Sequence, residues 1–192
     1  MDFETLKQQC LCCEKCNLCT TRTNVVFGSG VSHAEVMFVG EGPGQNEDEQ
    51  GLPFVGRSGK LLDQYLEAVD LSRDKNIFIA NIVKCRPPQN RDPLPDEWNA
   101  CMPWLQEQIR LLQPKIIVCL GRVAAQRLIR PDFAIMKEHG QFVEKDGIWY
   151  TATLHPAALL RNPNRKPLAF EDFVALREKI QEVCQHTYVG EV

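Results

Sequence analysis

Four cysteines with unequal spacing are the residues of this chain best suited to binding a metal. Cys13 and Cys16 form a Cys-x₂-Cys pair near the N-terminus, and Cys85 and Cys101 follow far downstream. Four thiolates suffice to hold a tetrahedral metal ion or an iron–sulfur cube. Such a centre would join the N-terminal segment to the middle of the chain. The spacing alone leaves zinc and iron–sulfur both open.

The chain contains nine cysteines, so other ligand sets are open. Cys10, Cys12 and Cys19 flank the first pair, and Cys12 or Cys19 could replace one of its members. Cys119 lies in an apolar strand pattern, where a free cysteine packs as a small apolar side chain. The N-terminal sequence has no apolar leader segment. We therefore expect a reducing, cytoplasmic compartment, in which clustered cysteines bind metals more often than they form disulfides.

A glycine-rich segment with the letters GEGPG covers residues 40–44, and the acidic pair Glu47 and Asp48 follows it. Glycine lets the backbone approach a ligand closely, and exposed N–H groups can bind an anionic oxygen. The letters PFVG at residues 53–56 add an aromatic side chain, Phe54, to the same region. This combination favours a ligand pocket over an ordinary turn. The letters GK[ST] of a phosphate-binding loop are missing.

Two more polar residues follow apolar strand patterns. Asn81 ends the run NIFIAN, and its carboxamide offers an acceptor and a donor in one plane. His155 follows the run WYTATL, and an imidazole N–H at that place could stabilise a developing negative charge. Ligands of open α/β sheets bind outside the carboxyl ends of the strands. We therefore expect the glycine-rich segment, Asn81 and His155 to line one pocket.

The elements that must position these residues alternate between strand and helix patterns. We predict strands over residues 35–40, 76–83, 115–121 and 149–154, and helices over residues 2–12, 59–69, 95–112, 122–129 and 168–185. Strands separated by helices imply crossover connections and a mostly parallel sheet covered on both faces. We expect one α/β domain over residues 1–192, with a frayed tail over residues 186–192.

Composition limits the classes of function. A hydrophobic content of 44% and a charged content of 24% fit a packed domain. No run of about 18 apolar residues is present, which excludes a membrane-spanning helix. The formal net charge of −3 gives no general attraction to nucleic acid. Binding to DNA would therefore require a local basic surface.

Three segments together resemble the motifs of the family 4 uracil-DNA glycosylases, the iron–sulfur type of the uracil-DNA glycosylase superfamily. The segments are GEGPGQNEDEQGLPFVGRSGKLLD, NIVKCRPPQNR and HPAALLRNP, in this order. The likeness runs from about Cys13 to Pro163 and includes all four cysteine positions named first. It implies a three-layer α/β/α sandwich with a mostly parallel sheet. It also implies a structural [4Fe–4S] cluster on Cys13, Cys16, Cys85 and Cys101, with zinc as the alternative.

The resemblance further implies a pocket for a uracil base turned out of the DNA helix. Phe54 would stack on the base, and Asn81 would pair with its N3–H and O4 groups. His155 would donate a hydrogen bond to O2 and stabilise the charge that develops as the glycosidic bond breaks.

Glu41, Gly42 and Pro43 would complete this pocket, and Glu41 and Glu47 are the carboxylates available for catalysis. Related glycosylases often carry an aspartate at the position of Gly42, so the strongest candidate base is absent here. We therefore favour a dissociative reaction, in which stabilising the leaving group matters more than activating water. Glu47 could instead narrow the pocket against the methyl group of thymine.

Basic residues flank the pocket segments, and they would meet phosphates if the loops face one groove. They are Arg57, Lys60, Lys84, Arg86, Arg91, Arg161, Arg165 and Lys166. Leu159 and Leu160 follow His155 closely. We expect these two leucines to insert into the gap that the extruded base leaves.

These expectations define a monofunctional uracil-DNA glycosylase that acts as a monomer on uracil-containing DNA and leaves an abasic site for base excision repair. The first alternative is a non-catalytic nucleic-acid-binding module with a zinc or iron–sulfur centre. The second is a related glycosylase that stays covalently attached to its product. The segment over residues 86–95 lacks a histidine, which argues against that covalent chemistry.

Overall fold

A central sheet of six strands organises the part of the chain that the computed structural model describes, residues 1–189. The strands are β1 (Ser29–Gly30), β2 (Val36–Gly40), β3 (Ile77–Asn81), β4 (Ile116–Leu120), β5 (Val143–Lys145) and β6 (Ile148–Thr153). Their order across the sheet is β1-β3-β2-β4-β6-β5. The four inner strands are parallel, and the edge strands β1 and β5 pair antiparallel with their neighbours.

Eight α-helices accompany the sheet within the same residues. They are α1 (Phe3–Leu11), α2 (Gln45–Gln50), α3 (Arg57–Ala68), α4 (Pro95–Leu112), α5 (Arg122–Leu128), α6 (Ile135–Glu138), α7 (Pro156–Arg161) and α8 (Lys166–Val183). Short 3₁₀ turns cover Asn17–Thr20, Pro88–Asn90 and Pro163–Arg165. No helix in this part of the chain is long and apolar enough to cross a membrane.

Helices cover both faces of the sheet. On one face, α1, α4 and α5 pack against side chains that include Met37 and Phe78. On the other face, α3, α7 and α8 pack against side chains that include Phe38 and Ile79. Successive strand residues point to opposite faces, so a strand covered on both sides needs an unbroken apolar run. The predicted three-layer α/β/α sandwich with a mostly parallel sheet is confirmed.

The predicted boundaries of the main elements agree with the structure to within two residues. Helix α4 begins at Pro95, where the missing N–H of proline costs no hydrogen bond. The Glu97 side chain accepts a hydrogen bond from the Leu94 N–H at 2.8 Å and so caps the first turn. The helix ends where Gln113 adopts a left-handed φ of 50°.

Hydrogen bonds to Glu35, the residue before β2, hold the segment that follows α8. The Glu35 carboxylate accepts hydrogen bonds from the N–H groups of Gln185 and His186 and from the Thr187 hydroxyl, at 2.8–2.9 Å. The Tyr188 hydroxyl donates to the Val69 carbonyl at 2.8 Å. The expectation of a frayed tail is therefore wrong for residues 186–188. Residues 190–192, which belong to the same expectation, lie outside the described residues.

The four inner strands end at one edge of the sheet because they are parallel. The last residues of β2 and β3, Gly40 and Asn81, are directly paired in the register. β4 ends at Leu120, and β6 ends at Thr153, two residues before His155. All the polar segments noted in the sequence therefore emerge on the same side.

Candidate active site and cysteine cavity

A cleft of about 620 Å³ opens at the carboxyl ends of the four inner strands. Its walls come from the segments that follow each strand and from the start of α7. The structure brings together in this cleft all the residues predicted for the base pocket, namely Glu41, Gly42, Pro43, Phe54, Asn81 and His155. Glu47, the other predicted carboxylate, also lines it.

Asn81 forms a buried wall of the cleft. Its side chain is 2% exposed, and its Oδ1 atom has no hydrogen-bond partner among the described residues. A Cβ atom on Gly40 would lie 2.5 Å from Asn81 Oδ1 and 2.6 Å from the Phe54 ring, so only glycine lets these side chains approach each other. A buried acceptor without a partner is uncommon and marks a place where a donor can bind.

Phe54 is held in an unusual backbone conformation beside Asn81. Its φ of 51° lies in the left-handed region, which costs energy for a residue with a side chain. The guanidinium of Arg73 compensates by donating to the carbonyls of Pro53 at 2.6 Å and of Phe54 at 3.0 Å. A Cβ on Gly59 would lie 2.0 Å from the Phe54 carbonyl oxygen, so helix α3 needs a glycine there.

Glu47 supports the same turn from the other side. Its Oε1 atom accepts hydrogen bonds from the N–H groups of Val55 at 3.2 Å and Gly56 at 3.3 Å, and the residue is 8% exposed. These bonds fix the turn that carries Phe54. The structure thus gives Glu47 a positioning contact that its predicted catalytic or pocket-narrowing role did not include.

Asp48, the second member of the acidic pair, connects the N-terminal segment to helix α2. Its Oδ1 atom accepts hydrogen bonds from the N–H groups of Thr23 at 2.9 Å and Asn24 at 3.1 Å. The Asn24 side chain donates back to the Asp48 carbonyl at 2.8 Å. Asp48 is therefore a structural residue rather than part of the pocket wall.

His155 presents a neutral imidazole to the cleft. It caps helix α7, and its Nδ1 atom accepts a hydrogen bond from the Ala157 N–H at 3.1 Å. The proton of the neutral ring must then reside on Nε2. Burial, together with the positive charge of Arg161, lowers the pKa of His155 to about 4. A Cβ atom on Gly121 would lie 2.9 Å from His155 Cβ, so the close approach depends on glycine.

Glu41 lies beside a second carboxylate that sequence reasoning missed. Burial raises the pKa of Glu41 to about 7, and the neighbouring Asp92 adds to this by repulsion and hydrogen bonding. The positive charge of Arg122 lowers the pKa of Glu41, and the Arg122 guanidinium donates a hydrogen bond to Asp92 at 3.1 Å. Asp92 lies in the segment before α4 and Arg122 begins helix α5, and neither belongs to a recognisable motif. Nothing in the sequence pointed to them as a pair.

The predicted DNA-contacting arginines fall into two groups. Arg91, Arg161 and Arg165 line the cleft. Arg57 and Arg86 do not line it; Arg57 begins helix α3, and Arg86 donates to Asn90 at 2.8 Å. Arg91 is bound to the buried Glu97 at 2.6 Å, so its guanidinium is already engaged.

The two leucines expected to insert into DNA differ in burial. Leu159 is 1% exposed and packs in the core between α7 and the sheet, so its predicted role as a wedge is wrong. The reason is the helix that begins after His155, which turns Leu159 inward. Leu160 is half-buried and packs against the edge of the same core. Its predicted contact with DNA stays a prediction.

A second cavity is lined by the four cysteines expected to bind a metal, Cys13, Cys16, Cys85 and Cys101. N–H groups approach three of their sulfur atoms. Trp104 Nε1 lies 3.2 Å from the Sγ of Cys13, and Arg22 Nη1 lies 3.4 Å from that of Cys85. The backbone N–H of Lys84 donates to Cys101 Sγ at 3.2 Å. Such donors stabilise thiolate ligands and orient them.

The remaining cysteines near the first pair, Cys10, Cys12 and Cys19, do not line this cavity. Cys10 is buried in the neighbouring core, and Cys12 is exposed. Cys119 is completely buried in β4, as its apolar surroundings predicted. The cavity therefore favours the ligand set that the resemblance implied.

Within residues 1–189, no group of three or more His, Cys, Asp or Glu side chains is arranged to hold a metal ion. Thiolates that share one zinc ion lie about 3.8 Å apart, given a Zn–S bond of about 2.3 Å and tetrahedral geometry. The four thiolates of an iron–sulfur cube stand farther apart, because iron and sulfide lie between them. The four cysteines that line the cavity are the donor set that either centre requires.

Lys84 is 1% exposed and lies between this cavity and the cleft. Its ammonium donates to the Asn81 carbonyl at 2.9 Å and to Gln108 Oε1 at 2.6 Å. Burial lowers the pKa of Lys84 to about 8. The nearby cysteines, of which Cys101 has the largest effect, act to raise the pKa. The expectation that Lys84 contacts phosphate is wrong, because its side chain points into the core.

Several known proteins are similar to this chain in amino-acid sequence. A profile of the Uracil DNA glycosylase superfamily matches residues 27–179. The chain is 48% identical over 186 residues to the Type-4 uracil-DNA glycosylase of Sulfurisphaera tokodaii, covering 92% of this chain and 84% of the relative. It is 44% identical to that of Saccharolobus solfataricus, with 88% and 82% covered, and 41% identical to that of Archaeoglobus fulgidus, with 95% and 93% covered. The chain belongs to the uracil DNA glycosylase superfamily, and within it to the type-4 group that these relatives represent.

Proposed function

We propose that this chain removes uracil from DNA by hydrolysing the N-glycosidic bond and leaves an abasic site. The observation that carries the proposal is the buried, unpaired Oδ1 atom of Asn81 in a cleft shared with Phe54 and a neutral His155. Uracil N3–H is a donor that complements this acceptor, and uracil O4 complements the amide NH₂ of the same side chain. Proteins named Type-4 uracil-DNA glycosylase among the relatives support the same activity.

The leaving base would be stabilised by His155. When the C1′–N1 bond breaks, its electron pair stays with uracil, and negative charge spreads onto O2. The Nε2–H group of His155 would donate a hydrogen bond to O2 that strengthens as this charge grows. Because the pKa of His155 is lowered to about 4, the ring acts as a neutral donor rather than as an acid. Phe54 would provide the stacking face for the extruded base.

Glu41 would act on the sugar side of the reaction. Its carboxylate would oppose the positive charge at C1′ and accept the proton of the water that attacks this carbon. The uracil anion would take up a proton from solvent after it leaves. A pKa of about 7 places Glu41 near the value that suits a general base at neutral pH. Gly42 contributes no carboxylate, which is consistent with a dissociative path.

DNA would be held by basic residues around the cleft. Arg161 and Arg165 line its mouth, and their charges would meet phosphates on both sides of the extruded nucleotide. The formal net charge of −3 makes binding depend on this local surface. We propose that the protein acts as a monomer in base excision repair and works in the cytoplasm.

We further propose that Cys13, Cys16, Cys85 and Cys101 hold a structural [4Fe–4S] cluster. The shared cavity, the N–H donors on three sulfur atoms and the similarity to the type-4 relatives support this assignment. The cluster would cross-link the N-terminal segment to helix α4 and take no part in the reaction.

Incubation with a duplex that contains one uracil tests the activity. Released base is measured by chromatography, and abasic sites are measured by strand cleavage after alkali. The matched control is the same duplex with cytosine in place of uracil. Uracil release without spontaneous strand cleavage supports a monofunctional glycosylase. Tight binding to the uracil duplex without any release would instead support a non-catalytic binding module.

A further inference from the structure

Lys84 forms hydrogen bonds with one residue of each site, Cys101 of the cysteine cavity and Asn81 of the cleft. Its backbone N–H donates to Cys101 Sγ at 3.2 Å, and its ammonium donates to the carbonyl of Asn81 at 2.9 Å. The side chain of Gln108, on the same helix as Cys101, accepts the second ammonium hydrogen bond at 2.6 Å. Gln108 is fixed in turn by donating to the Phe27 carbonyl at 2.8 Å.

Among residues 1–189, no carboxylate forms an ion pair with this ammonium. Lys84 is 1% exposed, and its hydrogen-bond acceptors, the Asn81 carbonyl and Gln108, are both neutral. Three cysteines lie close enough to act on its charge, namely Cys101, Cys10 and Cys85. Burying an unpaired charge is strongly unfavourable unless an opposite charge lies near. An anionic cube held by four thiolates would supply that charge in the cavity that Lys84 lines.

We propose that Lys84 is a positioning residue through which the cysteine cluster fixes the base-reading end of strand β3. This inference rests on the proposed function of the cleft and goes beyond it. The cluster would hold the ammonium by charge, and the ammonium holds the carbonyl of Asn81 by a hydrogen bond. The carboxamide of Asn81 would thereby be kept at the distance that pairing with uracil requires. A shift of about 1 Å in such a group can cost about 10²-fold in rate.

A matched pair of variants tests this coupling. Lys84→Met removes the buried charge and keeps the length of the side chain. Lys15→Met removes a charge that lines the same cavity but is exposed, lies over the Trp104 ring at 4.3 Å and makes no contact with Asn81. Both proteins are purified with their cluster and compared with the wild type in iron content, cluster reduction potential, affinity for free uracil and single-turnover release.

We expect Lys84→Met to keep its iron, to lower the reduction potential because a positive charge near the cluster is lost, and to weaken free-uracil binding. Release of uracil should slow by about tenfold or more. Affinity for a duplex without uracil should stay within about twofold, because no phosphate contact is changed. Lys15→Met should leave uracil binding and release unchanged. A general loss of structure would lower all these quantities together, so this pattern separates positioning from folding.

Wild-type potential, uracil affinity and release rate in Lys84→Met would overturn the inference. If the wild type itself releases no uracil, the proposed function fails, while the reduction potential and free-uracil binding still decide on Lys84. If Lys84→Met does not fold, Gln108→Met takes its place. That variant removes one acceptor of the ammonium, keeps every cysteine, and should slow release by about fivefold. An unchanged rate in iron-replete Gln108→Met would equally refute the proposal.

Discussion

The rings of Phe54 and His155 lie side by side, with centroids 5.7 Å apart and planes inclined by 34°. Phe54 offers a π face and His155 offers an N–H donor, so these two adjoining walls of the cleft differ in chemistry. Their proximity depends on backbone features far apart in the chain, the left-handed turn at Phe54 and the glycine at residue 121. A flat ring with a carbonyl group on its edge could stack on the first wall and accept a hydrogen bond from the second.

Replacing His155 tests the hydrogen bond to the leaving base. In His155→Ala, release of uracil should slow by about 10²–10³ because a donor aimed at the developing charge is lost. Single-turnover kinetics with saturating enzyme measure the effect on the chemical step. Iron content and thermal stability should stay close to the wild type. An unchanged rate would remove His155 from the mechanism.

The pH dependence of release should report Glu41. Below its pKa of about 7 the carboxyl is protonated and neutral, so the rate should rise as the pH increases through this value. His155 stays neutral over the same range, since its pKa is lowered to about 4. Asp92→Asn removes the like charge beside Glu41, lowers its pKa and should shift the inflection to lower pH.

The matched control for the pH profile is Glu41→Gln, which should lose the inflection together with much of the rate. Single-turnover rates from about pH 5 to pH 9 bracket the expected value. An inflection that persists in Glu41→Gln, or that does not move in Asp92→Asn, would assign the titration to another group.

Asn81 should decide which base is accepted. Cytosine presents an acceptor at N3 and a donor at N4, which is the reverse of uracil. It would leave buried polar groups unpaired, at a cost of about 1–3 kcal/mol for each group. Asn81→Asp replaces the NH₂ donor by an acceptor that suits the N4 amino group of cytosine, so it should lose activity on uracil. It should gain weak activity on cytosine where the other carboxyl oxygen carries a proton for N3. Alkaline cleavage of matched duplexes measures both. Full wild-type preference for uracil in the variant would show that Asn81 does not read the base.

Gly42→Asp tests the place where related glycosylases carry a carboxylate. The backbone of Gly42 does not adopt a positive φ, so its conformation does not require glycine. A Cβ atom would instead lie 2.8 Å from the Cγ2 atom of Val83. We therefore expect soluble protein with lower activity in Gly42→Asp, and partial recovery when Val83→Ala provides space. Uracil release by the single and double variants measures this, and no recovery would point to a blocked base pocket.

The cysteine assignment can be checked with a buried control. Cys101→Ala should lose iron and stability because the cross-link to helix α4 is broken. Cys119 lies in β4, away from the cavity. Cys119→Ala should therefore keep about four irons per chain. Iron and sulfide assays together with absorption spectra measure both variants. One bound zinc and no sulfide in wild-type protein purified without air would contradict the cluster itself.

The main elements could be predicted because they carry complete local signals. Long apolar runs marked β2, β3 and β4, and Pro95 with a regular apolar period marked α4. Strand β1 has only two residues, and β5 is exposed throughout, so neither shows a pattern. Helix α2 is polar in all six positions and follows glycine, which made it resemble a loop.

The residue roles that were predicted wrongly or missed depend on side-chain orientation and on tertiary contacts, which the sequence does not show. Leu159 and Leu160 are adjacent leucines, and only the orientation of α7 decides that Leu159 enters the core. Lys84 carries the charge of a phosphate-binding residue, yet the segment that follows β3 directs its side chain into the interior. Asp92 raises the pKa of Glu41, which lies far from it in the sequence. Only the tertiary structure brings the two carboxylates together.

The cysteine cavity has a consequence for the order of biosynthesis. All its lining residues lie between Cys13 and Trp104, whereas the cleft also requires residues as late as Arg165. During translation, the chain emerges from its N-terminus, and early parts can fold first. If the proposed cluster is present, its four cysteines are translated before β4 and β6, so the complete ligand set would leave the ribosome ahead of the strands that complete the cleft.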